Sequence, residues 1–170
     1  EQLYQHLLAQ NPDQPQVWQN LGHVLKTLGK QAEAVHAYRQ AVTYKPSMGE
    51  AWWSLANLKT VKLGPDDMAT IKQALSDLEL ETETRQEDIF HLHFSLGKAL
   101  EDAKDYPASF HHYDQGNRLR RTMILHDADD FSAEAADAAR TFSAAFIARM
   151  GIGGCPAPDP IFIVGLPRSG

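Results

Sequence analysis

Two tryptophans, Trp18 and Trp52, stand 34 residues apart in the chain, and the same interval separates Tyr4 from Tyr38 and Pro12 from Pro46. Self-similarity at one fixed interval constrains a fold more than composition does. Periods of roughly 20–50 residues mark supersecondary units that must stack to bury their apolar faces. The clearest copy runs over residues 15–48. Its first half carries Trp18, Leu21, Gly22 and Leu25, which fall in one stripe of a helix at about 100° per residue. Its second half carries Ala34, Tyr38 and Ala41, and then Pro46, which cannot continue a helix. Gly22 offers no side chain where a paired helix must come close, and Ala34 and Ala41 do the same from the other side. Tyr38 is expected to fill the gap between successive pairs.

Further copies are less regular. Residues 49–82 keep Trp52, Leu55 and Ala56, but Met68 and Lys72 stand in the slots of Ala34 and Tyr38. Gly64-Pro65-Asp66-Asp67 breaks and restarts that copy, with proline suited to a first helical turn. A third copy, residues 90–123, is offset from the first by 75, two periods plus seven. Leu96-Gly97 and Leu100 answer Leu21-Gly22 and Leu25, and Ser109, Tyr113 and Gly116 answer Ala34, Tyr38 and Ala41. Residues 1–14 read as the back helix of a preceding copy. The alternating charges of Glu101 to Asp105 read as a wet helix end and turn. Together these copies resemble the tetratricopeptide repeat (TPR), which implies an all-α, right-handed superhelix of antiparallel helix pairs.

Beyond the repeats, Phe131, Ala135, Ala138, Phe142, Ala145 and Phe146 recur at three- and four-residue steps. They predict one helix over 130–150, stopped by Gly151, that caps the array. Residues 151–160 hold three glycines and three prolines and read as a linker. Ile161-Phe162-Ile163-Val164 then suits a buried parallel strand, and Gly165-Leu166-Pro167-Arg168-Ser169-Gly170 ends the chain. The opening Glu1-Gln2-Leu3-Tyr4 reads as the middle of a helix, so a piece of a longer protein is expected.

A buried strand running into a glycine-bounded turn with a basic residue is how a phosphate-binding loop starts. The ATP-binding form requires Gly-Lys-Ser/Thr, and here Arg168 precedes the second glycine instead. That tells against a nucleotide kinase or ATPase. The string Pro160 to Gly170 resembles the first motif of sulfotransferases. The whole chain is similar to the front of bacterial TPR-linked sulfotransferases, in which a TPR array, a capping helix and a linker precede this loop. The resemblance implies that the loop, with Gly165 and Pro167, holds the 5′-phosphosulfate end of 3′-phosphoadenosine 5′-phosphosulfate (PAPS). Arg168, Ser169 and Gly170 would contact the 5′-phosphate, through the guanidinium, the hydroxyl and the backbone. The family's catalytic base and 3′-phosphate site would lie past Gly170. No catalytic residue is therefore expected in this chain, and alone it should be inactive.

A formal net charge of −6 argues against a nucleic-acid binder, which needs a basic stripe. The single cysteine, Cys155, excludes an internal disulfide and a cysteine-based zinc site, and fits a reducing, cytoplasmic setting. No apolar run approaches the roughly 18 residues that a membrane span requires. Eight histidines invite a metal, but His91 and His93, and likewise His111 and His112, diverge on a helix, so no metal is expected. The first helices of the pairs should build a groove wall from Gln19, Asn20, His23, Lys26, Trp53, Asn57, Phe94 and Lys98. Trp53 stands out because Trp52 already fills the core slot. With its amides and lysines, such a wall would grip an extended acidic peptide, and the array would also serve its own C-terminal sulfotransferase domain. The alternative is a stand-alone TPR adaptor with no catalytic activity.

Overall fold

The structure, a computed structural model, describes residues 1–80, 85–124 and 127–150. Among these it is all helix: α1 (Gln2–Gln10), α2 (Pro15–Thr27), α3 (Gln31–Tyr44), α4 (Gly49–Ala56), α5 (Pro65–Leu80), α6 (Gln86–Asp102), α7 (Tyr106–Met123), α8 (Ala128–Thr141) and α9 (Ala144–Met150). The chain divides into two compact units, residues 1–125 and 126–170. The expected linker and the strand and loop over 161–170 lie outside the described residues.

In the first unit, α2 and α3 form one antiparallel pair and α6 and α7 another. Both pairs close in the same way. Tyr38 of α3 lies over Gly22 of α2, and Tyr113 of α7 lies over Gly97 of α6. The turns inside the pairs match too. Gly29 has φ +76° and Lys104, 75 residues on, has φ +64°. At the first turn the amides of Gly29 and Lys30 bond the carbonyls of Lys26 and Leu25, and at the second those of Lys104 and Asp105 bond Glu101 and Leu100. This is a left-handed helix stop repeated in register. Asp105 then caps α7, accepting from the Ala108 amide at 3.3 Å.

The two tryptophans are equivalent in one further respect. Trp18 Nε1 donates to the Pro12 carbonyl and Trp52 Nε1 to that of Pro46, each at 2.8 Å. Each indole therefore ties the start of its own copy to the end of the helix before it. Tyr38 is 0% exposed. Its ring rests on Gly22, while its hydroxyl interacts with Ser54 of the next copy, so it does bridge successive copies.

The second copy departs from this scheme. Its first helix, α4, is 8 residues long against 13 for α2, and it packs most extensively on α6 and next on α3. Helix α5 packs on α6 and buries Ile71, Ala74, Leu75 and Leu78. With Ala56 in the glycine slot and Lys72 in the tyrosine slot, the interlock that closes the other pairs is missing. A bidentate pair ties α5 to α3 instead, Arg39 to Asp67 at 2.5 and 3.0 Å. The third copy, expected from Phe90, starts one turn earlier at Gln86. The extra turn brings Asp88 against the start of α4, where its carboxylate accepts from the Gly49 amide at 2.9 Å. Arg85 holds that carboxylate and also reaches Ser47.

In the second unit, the single helix expected over 130–150 is corrected to two. Helix α8 stops at Thr141, and the Ser143 hydroxyl accepts from the Phe146 amide at 3.3 Å to start α9. Threonine, phenylalanine and serine are weak helix formers, and serine caps well, so the apolar stripe is interrupted there. None of the residues of α8 and α9 is buried, and Phe131 and Phe142 are 66% and 63% exposed.

Candidate functional site

The first helices of the copies, α2, α4 and α6, bring equivalent positions together on one wall. Gln19, Trp53 and Phe94 share one slot, and His23, Asn57 and Lys98 the next, at intervals of 34 and 75. The first slot makes contacts that run across all three helices. Gln19 Nε2 donates to Glu50 Oε2 at 2.6 Å, which joins α2 to α4. The ring of Trp53 lies 5.6 Å from that of Phe94, which joins α4 to α6. Phe94 in turn packs edge-on against Phe90 at 5.7 Å and beside Tyr113 at 6.4 Å. Gly116 makes room for it, since a Cβ there would sit 2.8 Å from the Phe94 ring.

A polar chain crosses the wall at α2. The Tyr38 hydroxyl and His23 Nδ1 are 2.9 Å apart, and His23 Nε2 is 3.4 Å from Glu50 Oε1. With the hydroxyl donating to Nδ1, the ring carries its proton on Nε2 and presents it to the carboxylate. Burial pushes the Tyr38 hydroxyl above its ordinary range, so it stays a donor at neutral pH. On α6, Lys98 is held by Asp102 at 2.5 Å, and Tyr113 donates to Glu101 at 3.1 Å. Burial first, and then the Glu101 carboxylate, raise the Tyr113 hydroxyl far above its usual range.

The eight expected groove residues therefore have different fates. Gln19 is buried, at 3% exposure, and spends its amide on Glu50. Trp53, Phe94, His23, Asn20 and Lys98 are half-buried, and Lys26 and Asn57 are exposed. Asn57 caps the end of α4, its amide bonding the Trp53 carbonyl at 2.9 Å. The five expected PAPS-loop residues, Gly165, Pro167, Arg168, Ser169 and Gly170, lie outside the described residues.

Sequence reasoning missed Glu50 and weighed His91 only as a metal ligand. Glu50 sits one helical turn before Trp53, so its place on the same face was readable from spacing alone. His91 lies within electrostatic reach of Glu50, although burial outweighs that carboxylate and lowers its pKa. Also missed was a histidine pair across α6 and α7, in which His93 Nδ1 and His112 Nδ1 are 3.0 Å apart. Burial lowers both, His112 to about 4, and the neighbouring His93, His111 and Lys72 add repulsion at His112. Among the described residues no group of three or more His, Cys, Asp or Glu side chains is placed to hold a metal ion. None of the described helices is long and apolar enough to cross a membrane.

Comparison with known proteins bears on this geometry. Residues 15–48 match the family model for the tetratricopeptide repeat. The chain contains a TPR, and it is the α2–α3 copy with its Gly22–Tyr38 interlock. The chain is also 29% identical over 154 residues to an uncharacterized protein of Aquifex aeolicus (strain VF5). That match covers 91% of this chain and 19% of the relative, so the chain spans about a fifth of that protein's length. A TPR supports a protein-interaction role for the region that carries it.

Proposed function

We propose that the α2–α4–α6 wall docks a segment of a protein partner, and that it does so in the service of a PAPS-dependent sulfotransferase. The observation behind the docking role is the shared slot of Gln19, Trp53 and Phe94. It sets the half-buried rings of Trp53 and Phe94 side by side on α4 and α6, next to the buried Gln19 of α2, a surface on which an extended segment can lie across copies. The observation behind the enzymatic role is the string Pro160 to Gly170, which resembles the family's phosphosulfate loop.

In this reading Arg168 offsets charge on the 5′-phosphate of PAPS while Ser169 and the Gly170 amide donate to its oxygens. Gly165 and Pro167 shape the turn. PAPS supplies the sulfuryl group, and the acceptor is a hydroxyl. The base that takes the hydroxyl proton belongs to the part of the enzyme following this loop.

Calorimetry with PAPS tests the enzymatic role. The 170-residue chain is expected to bind none. A longer chain that includes the domain opened by this loop is expected to bind PAPS, and Arg168→Ala should weaken that binding at least tenfold. Tight binding by the 170-residue chain would overturn the view that its site is incomplete. Unchanged affinity in the Arg168 variant would overturn the loop assignment.

A further inference from the structure

The charge on the docking wall differs from what its lysines imply. Of the two lysines in the expected groove, Lys98 is already neutralised by Asp102 at 2.5 Å, and Lys26 stands at the far end of α2, in its last turn. The position is different at Glu50. Its side chain is 52% exposed, and its described partners are the Gln19 amide at 2.6 Å and the His23 ring at 3.4 Å. Among the described residues no lysine or arginine pairs with it. Gln19 is buried, so it holds one carboxylate oxygen from the wall side while about half of the side chain stays open to solvent. The result is a fixed carboxylate one turn from the half-buried Trp53 on the same face of α4. The chain as a whole carries a formal charge of −6, which draws in a basic partner and repels an acidic one.

We propose that the wall takes a basic, not an acidic, segment of its protein partner, with a lysine or arginine seated on Glu50 and an apolar side chain covering Trp53. This rests on the docking role proposed above. The ammonium or guanidinium would supply a full positive charge opposite the carboxylate, which the Gln19 amide does not. The apolar neighbour would remove the exposed part of the Trp53 and Phe94 rings from water. Glu50 then sets the sign of the partner's charge, and Trp53 sets the spacing between the charged and apolar positions.

Two fluorescein-labelled twelve-residue peptides test this, one alternating lysine with leucine and the other alternating glutamate with leucine. Fluorescence anisotropy would follow their binding to the 170-residue chain. The lysine peptide should bind at least tenfold more tightly than the glutamate peptide. Glu50→Gln should weaken it about tenfold, whereas Glu33→Gln on α3 should leave it unchanged. Glu50→Lys should invert the preference, a gain that a misfolded variant would not produce. Equal loss from Glu33→Gln and Glu50→Gln would show non-specific attraction and overturn the proposal. A glutamate peptide bound as tightly as the lysine peptide would overturn the charge assignment alone. Binding of neither peptide would overturn the docking role as well.

Discussion

Gly22 of α2 lies directly beneath the ring of Tyr38, so that a Cβ on the glycine would sit 2.5 Å from Cε1 of the tyrosine. The ring has no room to retreat, because it is 0% exposed and its hydroxyl is held by His23. Alanine at position 22 gains about 1 kcal/mol in helix propensity, but it must spread two packed helices. The net expectation for Gly22→Ala is destabilisation by about 2 kcal/mol. The equivalent Gly97→Ala meets Tyr113 at 2.9 Å, and that ring is only half-buried, so its cost should be about 1 kcal/mol or less. Urea midpoints measure both. A neutral Gly22→Ala would show that the interlock does not hold the pair together.

The left-handed turn residues allow a prediction in the stabilising direction. Gly29 and Lys104 have the same backbone conformation, φ +76° and +64°. A side chain in this region costs roughly 1 kcal/mol that glycine avoids. Lys104→Gly should therefore raise stability by about 0.5–1 kcal/mol, and Gly29→Ala should lower it by about 1 kcal/mol. Thermal melts of the two variants would move in opposite directions. If both fell, the two turns would not be equivalent.

The helix pairs were legible in sequence because close approach of two helices requires a glycine on one and fixes what can lie opposite it. Gly22 with Tyr38 and Gly97 with Tyr113 announce that requirement directly. The partnering of α4 was not legible. Ala56 and Lys72 show only that the interlock is absent, and nothing local says that α4 will turn chiefly to α6. The break between α8 and α9 was hidden for the opposite reason. The apolar steps from Phe131 to Phe146 continue through it, and only the weak helix preference of Thr141, Phe142 and Ser143 marks the stop. On the wall of α2, α4 and α6, the slot holding Trp53 and Phe94 followed from the period. The capture of Gln19 by Glu50 did not, because it joins residues of two different copies.

The junction of α4 and α6 is the tightest backbone approach at any described glycine. A Cβ on Gly49 would run into the backbone of Asp88, which cannot swing aside as a side chain can. Gly49→Ala should cost about 3 kcal/mol, more than Gly22→Ala. Asp88→Ala removes the acceptor for the Gly49 amide and leaves Arg85 without that carboxylate, for a loss of about 1–2 kcal/mol. Denaturant unfolding of the two variants would rank them. A milder effect from Gly49→Ala than from Asp88→Ala would contradict the geometry.

The histidine pair between α6 and α7 makes stability depend on pH. At 3.0 Å, one Nδ1 must donate to the other, an arrangement available only while at least one ring is neutral. Folding favours neutral rings, lowering His93 and bringing His112 down to about 4, chiefly through burial, with repulsion at His112 from His93, from His111 on α7 and from Lys72 on α5. In the unfolded chain both rings return to the ordinary value near 6.5. Between about 6.5 and 4 the unfolded chain therefore binds more protons than the folded one, and stability must fall as pH is lowered through that window. Above about 6.5 this contribution is complete and no longer changes. Because the rings are partly in water, roughly 1–2 kcal/mol is expected to be lost by pH 4.5. Replacing both rings, His93→Phe with His112→Leu, should flatten that part of the profile. Urea unfolding at pH 7.5, 6, 5 and 4.5 measures the slope, and an equally steep decline in the double variant would assign it to other groups, the half-buried His91 or the carboxylates.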